Sequence, residues 1–191
     1  MANMNEPQEY IQIEMVRDNL DNIDFYGLPE GYSIQWYRKG DEQFWLDIHY
    51  KAEKYEKIGR ERYKDEFGTN IKLLSRRQCF LFDSDNNAVG TATAWFDKNH
   101  HGQRFGKFHW LAIVPEMQGC GLAKPLVSCV CNKMRHLGHK RAYLVTATPR
   151  IPAINLYLKF GFVPRIDSAK DLDIWRKLQK KIKEPINLER F

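Results

Sequence analysis

PEMQGCGLAKPLV, residues 115–127, sets a proline, a glutamine and two closely spaced glycines directly after the apolar run HWLAIV, residues 109–114. A helical pattern follows at once. Leu122, Leu126, Val130, Met134 and Leu137 form an i, i+4 stripe that ends at Gly138, a natural glycine stop. The first backbone N–H groups of a helix are unpaired and carry the positive end of its dipole. A glycine-rich bend that exposes them there is a ready anion site.

Two phosphate-binding patterns fail on this stretch. A P-loop needs Gly-Lys followed by Ser or Thr, whereas Gly121 is followed by Leu122, Ala123, Lys124 and Pro125. A dinucleotide fingerprint needs a third glycine and an acidic residue closing the next strand, but that strand ends VTATPR. What remains is Gln118-x-x-Gly121-x-Ala123 after a strand that closes on a proline. It resembles the acyl-CoA pyrophosphate loop of the GNAT superfamily N-acetyltransferases. Downstream, the run from Ala153 to Phe162, AINLYLKFGF, is similar to the superfamily's A-I-x-L-Y-x-K-x-G-F segment. The resemblance is motif-specific over residues 105–164, and the N-terminal half fits only in the order of its elements.

The resemblance implies an α/β (α+β) fold with a mixed, centrally splayed β-sheet flanked by helices. Residues 1–191 are expected as a single N-acetyltransferase domain. Within it, 1–28 stand outside the pattern, 106–164 form the cofactor-binding core and 169–183 a C-terminal helix. The splayed strands would be 106–114 and 141–147, with the pantetheine arm of acetyl-CoA between them. The Leu111 amide would meet the thioester carbonyl and Ile113 the pantetheine, with Ala112 between them also on the cofactor. The amides of Gly119, Cys120, Gly121, Leu122, Ala123 and Lys124 would take the pyrophosphate, with Gln118, Asn155 and Tyr157 also on the cofactor. Tyr157 matches the superfamily tyrosine that protonates the departing thiolate, a step open to a phenol within hydrogen-bond reach.

The implied reaction moves an acetyl group from acetyl-CoA to a primary amine by direct attack in a ternary complex, since no cysteine has a recognisable base partner. Some relatives carry a base glutamate four residues before the acetyl-binding amide, and Lys107 occupies that place here. His109 shares the face of Lys107 and Leu111 by the strand period of two, and an imidazole suits proton transfer near neutrality. His109 is therefore the candidate base. Trp45, Tyr50 and Phe67 are candidate walls of the acceptor pocket. The alternative is a non-catalytic acyl-CoA-binding or sensing module, which Lys107 favours and Tyr157 disfavours.

Composition sets the frame. At 191 residues, 43% apolar and 28% charged, the chain can bury one sizeable core. A net charge of +6 suits a polyanionic cofactor as well as nucleic acid. The basic run RKLQKKIK (176–183) reads as a solvated helix face rather than a nucleic-acid contact. The first ten residues show no leader pattern, and no stretch approaches the roughly 20 apolar residues of a membrane span. A cytoplasmic protein without a membrane partner is expected, and a homodimer is compatible with the family. Cys79, Cys120, Cys129 and Cys131 lack metal-ligand spacing and read as reduced thiols. His100 with His101 and His136 with His139 lack a fixed ligand geometry, so no metal is expected. QCFLFD and AVGTATAWFD flank the turn SDNN as a hairpin, followed by a polar loop, KNHHGQ. RAYLVTAT reads as a strand covered on both faces.

Overall fold

Two largely buried strands, within residues 78–100, pair as a hairpin that anchors the bend. The computed structural model describes residues 9–189. The chain divides into two compact units, one running from Asn19 to Ala142 and the other made of the residues before and after it.

In the first unit β2 (Ser33–Trp36), β3 (Gln78–Phe82), β4 (Ala88–His100) and β5 (Gln103–Ile113) pair antiparallel in that order. Helices α1 (Glu42–Ala52), α2 (Arg60–Phe67) and the single turn α3 (Ile71–Leu74) lie between β2 and β3 in sequence, and α4 (Ala123–His136) follows β5. Register decides which helix each strand residue meets. Trp95 stands opposite Lys107 and packs its ring 5.6 Å from Phe67 of α2. Phe96, one residue on, stands opposite Gly106, where a Cβ would lie 2.7 Å from Sδ of Met134 in α4. The two faces of this sheet are thus covered by α1 and α2 on one side and by α4 on the other. Trp45, Ile48, Tyr63, Phe67, Leu74 and Phe80 form the core beneath α1 and α2.

The turn after β3 is closed from within. The Asp83 carboxylate accepts from the amides of Asp85 at 3.0 Å and Asn87 at 2.8 Å. The expected polar loop at KNHHGQ is mostly strand instead: pairing extends to His100 opposite Gln103, and only His101 and Gly102 turn, both at positive φ. Backbone hydrogen bonds of the hairpin outweigh the polar character of these side chains.

The second unit holds β1 (Gln12–Arg17), β6 (Ala142–Ala147, whose first residue closes the other unit), α5 (Ile151–Lys159), β7 (Val163–Pro164) and α6 (Ala169–Gln179). Its strand order is β6-β1-β7, with Met15 opposite Pro164 in an antiparallel pair. β1 was not foreseen: residues 1–28 had no assigned element, yet 12–17 fill the middle of this sheet. Val145 of β6 is 45% exposed, so the strand is not covered all round. α6 ends at Gln179, short of the expected 183, and is capped by Ser168, whose Oγ accepts from the Asp171 amide. Its apolar face is Ile174, Trp175 and Leu178. Among the described residues no helix is long and apolar enough to cross a membrane.

Candidate functional site

The bend between β5 and α4 begins with an irregular strand. Ala112 stands opposite Thr91 and His109 opposite Thr93, so Trp110 and Leu111 together face the single residue Ala92. This is a β-bulge, and Trp110 takes the left-handed backbone at φ 50°. A bulge leaves its extra residue out of the ladder and re-aims the strand. It also ends the alternation that placed Lys107, His109 and Leu111 on one face: the expectation holds through His109 and is broken at Leu111. Beyond β5, the Gln118 side chain donates to the Ile113 carbonyl at 2.9 Å, tying the loop back to the strand. Gly119 and Gly121 sit at φ 82° and 79°, a region nearly closed to side chains with a Cβ. Leu122 is buried and heads α4, and among the described residues no side chain caps the helix start. The first amides of α4 are therefore left for an external acceptor. Lys124 is exposed beside them, its Nζ 5.2 Å from the Tyr26 ring centre.

Under the bulge, His109 is 8% exposed and its Nε2 lies 2.8 Å from Oε2 of Glu66 on α2. A carboxylate only accepts, so Nε2 carries the proton and Nδ1 presents the lone pair. Glu66 is held by further donors: Arg62 Nη2 lies 3.2 Å from Oε1, and the Trp110 side chain also donates. Arg62 in turn pairs with Glu56 at 2.7 Å and lies 5.4 Å from the Trp110 ring centre. The His109 hydrogen bond holds the Glu66 carboxyl down at about 2. Burial pushes the His109 imidazole down to about 4, against the opposing pull of Glu66. Burial also lowers the Lys107 ammonium. At neutral pH the arrangement is a neutral imidazole, oriented by an ionised carboxylate.

His109, Leu111, Ala112 and Ile113 fall in order along β5, and Gln118 to Lys124 form the bend and first helical residues, all in one unit. Glu66, Arg62 and Trp110 were missed. An acidic residue at a helix end carries no signal of its partner 43 positions away in sequence. Two of the three acceptor-wall candidates are corrected. Trp45 is fully buried among His49, Tyr63 and Phe67, and Phe67 is 3% exposed, so both are core. An aromatic stripe on a helix facing a sheet buries for its apolar area. Tyr50 points outward at 61% exposure. Asn155 donates through Nδ2 to Ile151 O, and its Oδ1 accepts from the amides of Lys183 and Glu184, tying down the segment after α6. Tyr157, on α5 of the second unit, is 7% exposed, with its ring 6.2 Å from Phe162.

The family model described as "Acetyltransferase (GNAT) family" matches residues 35–162. The chain belongs to this family. A mycothiol acetyltransferase from Pseudarthrobacter chlorophenolicus is 29% identical over 148 residues, covering 71% of this chain and 43% of that protein. The corresponding protein of Streptomyces coelicolor is 25% identical, covering 71% and 44%. The chain thus spans less than half the length of these curated relatives. Among solved structures, a GCN5-related N-acetyltransferase from Sphaerobacter thermophilus superposes with a TM-score of 0.67 at 19% identity, covering 82% of this chain and 50% of that one. The ribosomal-protein-S18-alanine N-acetyltransferase of Escherichia coli gives 0.55 at 16%, covering 68% and 76%. At these identities the structural likeness establishes the GNAT fold, mixed α/β with helices flanking the strands.

Proposed function

We propose that the chain transfers an acetyl group from acetyl-CoA to a primary amine by direct attack within a ternary complex. The observation that carries this reading is the uncapped start of α4 behind two left-handed glycines, a cradle of amides suited to a pyrophosphate. The Leu111 amide, in the bulge, donates to the thioester oxygen and stabilises the oxyanion that forms on attack. Nδ1 of His109 accepts the proton of the attacking ammonium, directly or through water, while Glu66 fixes the ring. Tyr157 returns a proton to the departing CoA thiolate, a role assigned by its place in the family motif. The Trp110 ring, 6.1 Å from His109 and beneath the Arg62 guanidinium, is the acceptor-side wall in this reading, while Phe67, 5.4 Å from the imidazole, packs against it from the core.

The test incubates the protein with acetyl-CoA and amines of several classes, including amino sugars, peptide N-termini and polyamines, and reads free thiol. Thiol release with one class, abolished in Tyr157→Phe and His109→Ala, is expected. A thermal shift with CoA but no thiol release from any amine would favour a binding module, and no shift with CoA would overturn the cofactor assignment.

A further inference from the structure

On the face of the sheet away from His109, a cationic cluster is built around Arg77. Its side chain is buried at 7% exposure, and among the described residues it has no carboxylate partner. Arginine is seldom buried this deeply unless it is paired. Nη1 donates to the Ala94 carbonyl at 2.8 Å and lies 3.4 Å from Nε2 of His139, while the guanidinium stacks 4.5 Å from the Phe96 ring centre. These contacts engage one of its three nitrogens, and the fork has five N–H donors. It does not cap α4, whose end lies beside His139, because its one carbonyl acceptor belongs to β4.

The neighbours reinforce the charge. His139 is 3% exposed, and its Nδ1 is buried with no hydrogen-bond partner among the described residues. Arg104 stands two residues before Gly106 on β5, on the face where a Gly106 Cβ would come within 3.4 Å of the His139 ring. Arg76 adjoins Arg77 in sequence, and Arg76 and Arg104 both act on the Arg77 charge. Arg77 and Arg104 likewise act on His139. Gly106 is what admits the imidazole here: any side chain would press on Met134 and His139.

We infer that Arg77, Arg104 and His139 form a binding site for a phosphate-class oxyanion, separate from the amide cradle at the other end of α4. A tetrahedral oxyanion offers acceptors to several donors at once, and a dianion offsets two guanidinium charges. His139 contributes as a donor through Nδ1–H in the neutral tautomer whose Nε2 faces Arg77. The inference does not rest on the transferase reading.

The test is a titration of the full chain with inorganic phosphate, at ionic strength held constant with chloride, followed by the NMR signals of the His139 ring. A saturable shift is expected, weakened about tenfold or more in Arg104→Gln, an exposed position whose change leaves the core intact. Repeating the titration in Gly121→Val, which disturbs the α4 cradle alone, should leave the His139 response in place. A matching response to glycerol 3-phosphate would identify a phosphoryl group as the ligand, and a response to inorganic phosphate alone the free ion. His139 signals unmoved by millimolar phosphate, or an unchanged affinity in Arg104→Gln, would overturn the inference.

Discussion

Lowering the pH from 7 to 4 should destabilise residues 19–142 through two buried imidazoles. Burial pushes His109 and His139 each from 6.5 down to about 4. Between those values the unfolded chain binds a proton that the folded chain refuses, so stability rises with pH across that window. The contribution is fully present above about 6.5 and is lost as pH falls towards 4. Two and a half pH units correspond to about 3 kcal/mol for each imidazole. Glu66, held at about 2, stays ionised in the folded chain over this range. The assay is urea unfolding at several pH values between 7 and 4, followed by tryptophan emission. Trp36, Trp45, Trp95 and Trp110 all lie in this unit, and only Trp175 lies outside it. His139→Gln should flatten the pH dependence by up to about 3 kcal/mol, whatever its stability at pH 7. Equal pH dependence in wild type and variant would refute the argument that burial holds His139 neutral.

Three further outcomes follow from named contacts. Glu66→Gln replaces a charge-assisted bond to His109 by a neutral one, so thiol release should fall about tenfold, and the acid limb of kcat/KM should move to lower pH because the group that raises the His109 value is gone; a limb that moves upward refutes the pairing. Gly121→Val forces a β-branched residue to φ 79°, which costs on the order of 1–2 kcal/mol, and calorimetry should find CoA bound about tenfold more weakly with little change in kcat at saturation. Gly106→Ala sets a Cβ 2.7 Å from Met134 Sδ and should cost about 1–3 kcal/mol in chemical denaturation; Met134→Ala, which empties a fully buried site, should cost more by itself, and the two should be less than additive in the double variant because the clash is gone.

By itself the sequence determined the local devices. The glycine pair, the α4 stripe and the Ala153–Phe162 motif are contiguous, and their chemistry resides in backbone conformations that particular residues permit. A glycine tolerates positive φ wherever it stands, so Gly119 and Gly121 were legible without knowing their neighbours. His109 was legible as a candidate for the same reason, from its residue type and its place on the strand. Partnership was not legible. Glu66 reaches His109 only because α2 crosses that face of the sheet, and Trp110 leaves the ladder only because β4 and β5 shift register there. Trp45 and Phe67 carried the same aromatic signal as Trp110. Tertiary packing buried the first two completely and left Trp110 half-buried at the edge of the same cluster, its ring 5.1 Å from Trp45 and its N–H on Glu66. β1 shows the same division: six residues from outside the motif-bearing half pair between β6 and β7, a choice made by strand edges that exist only once the chain is folded.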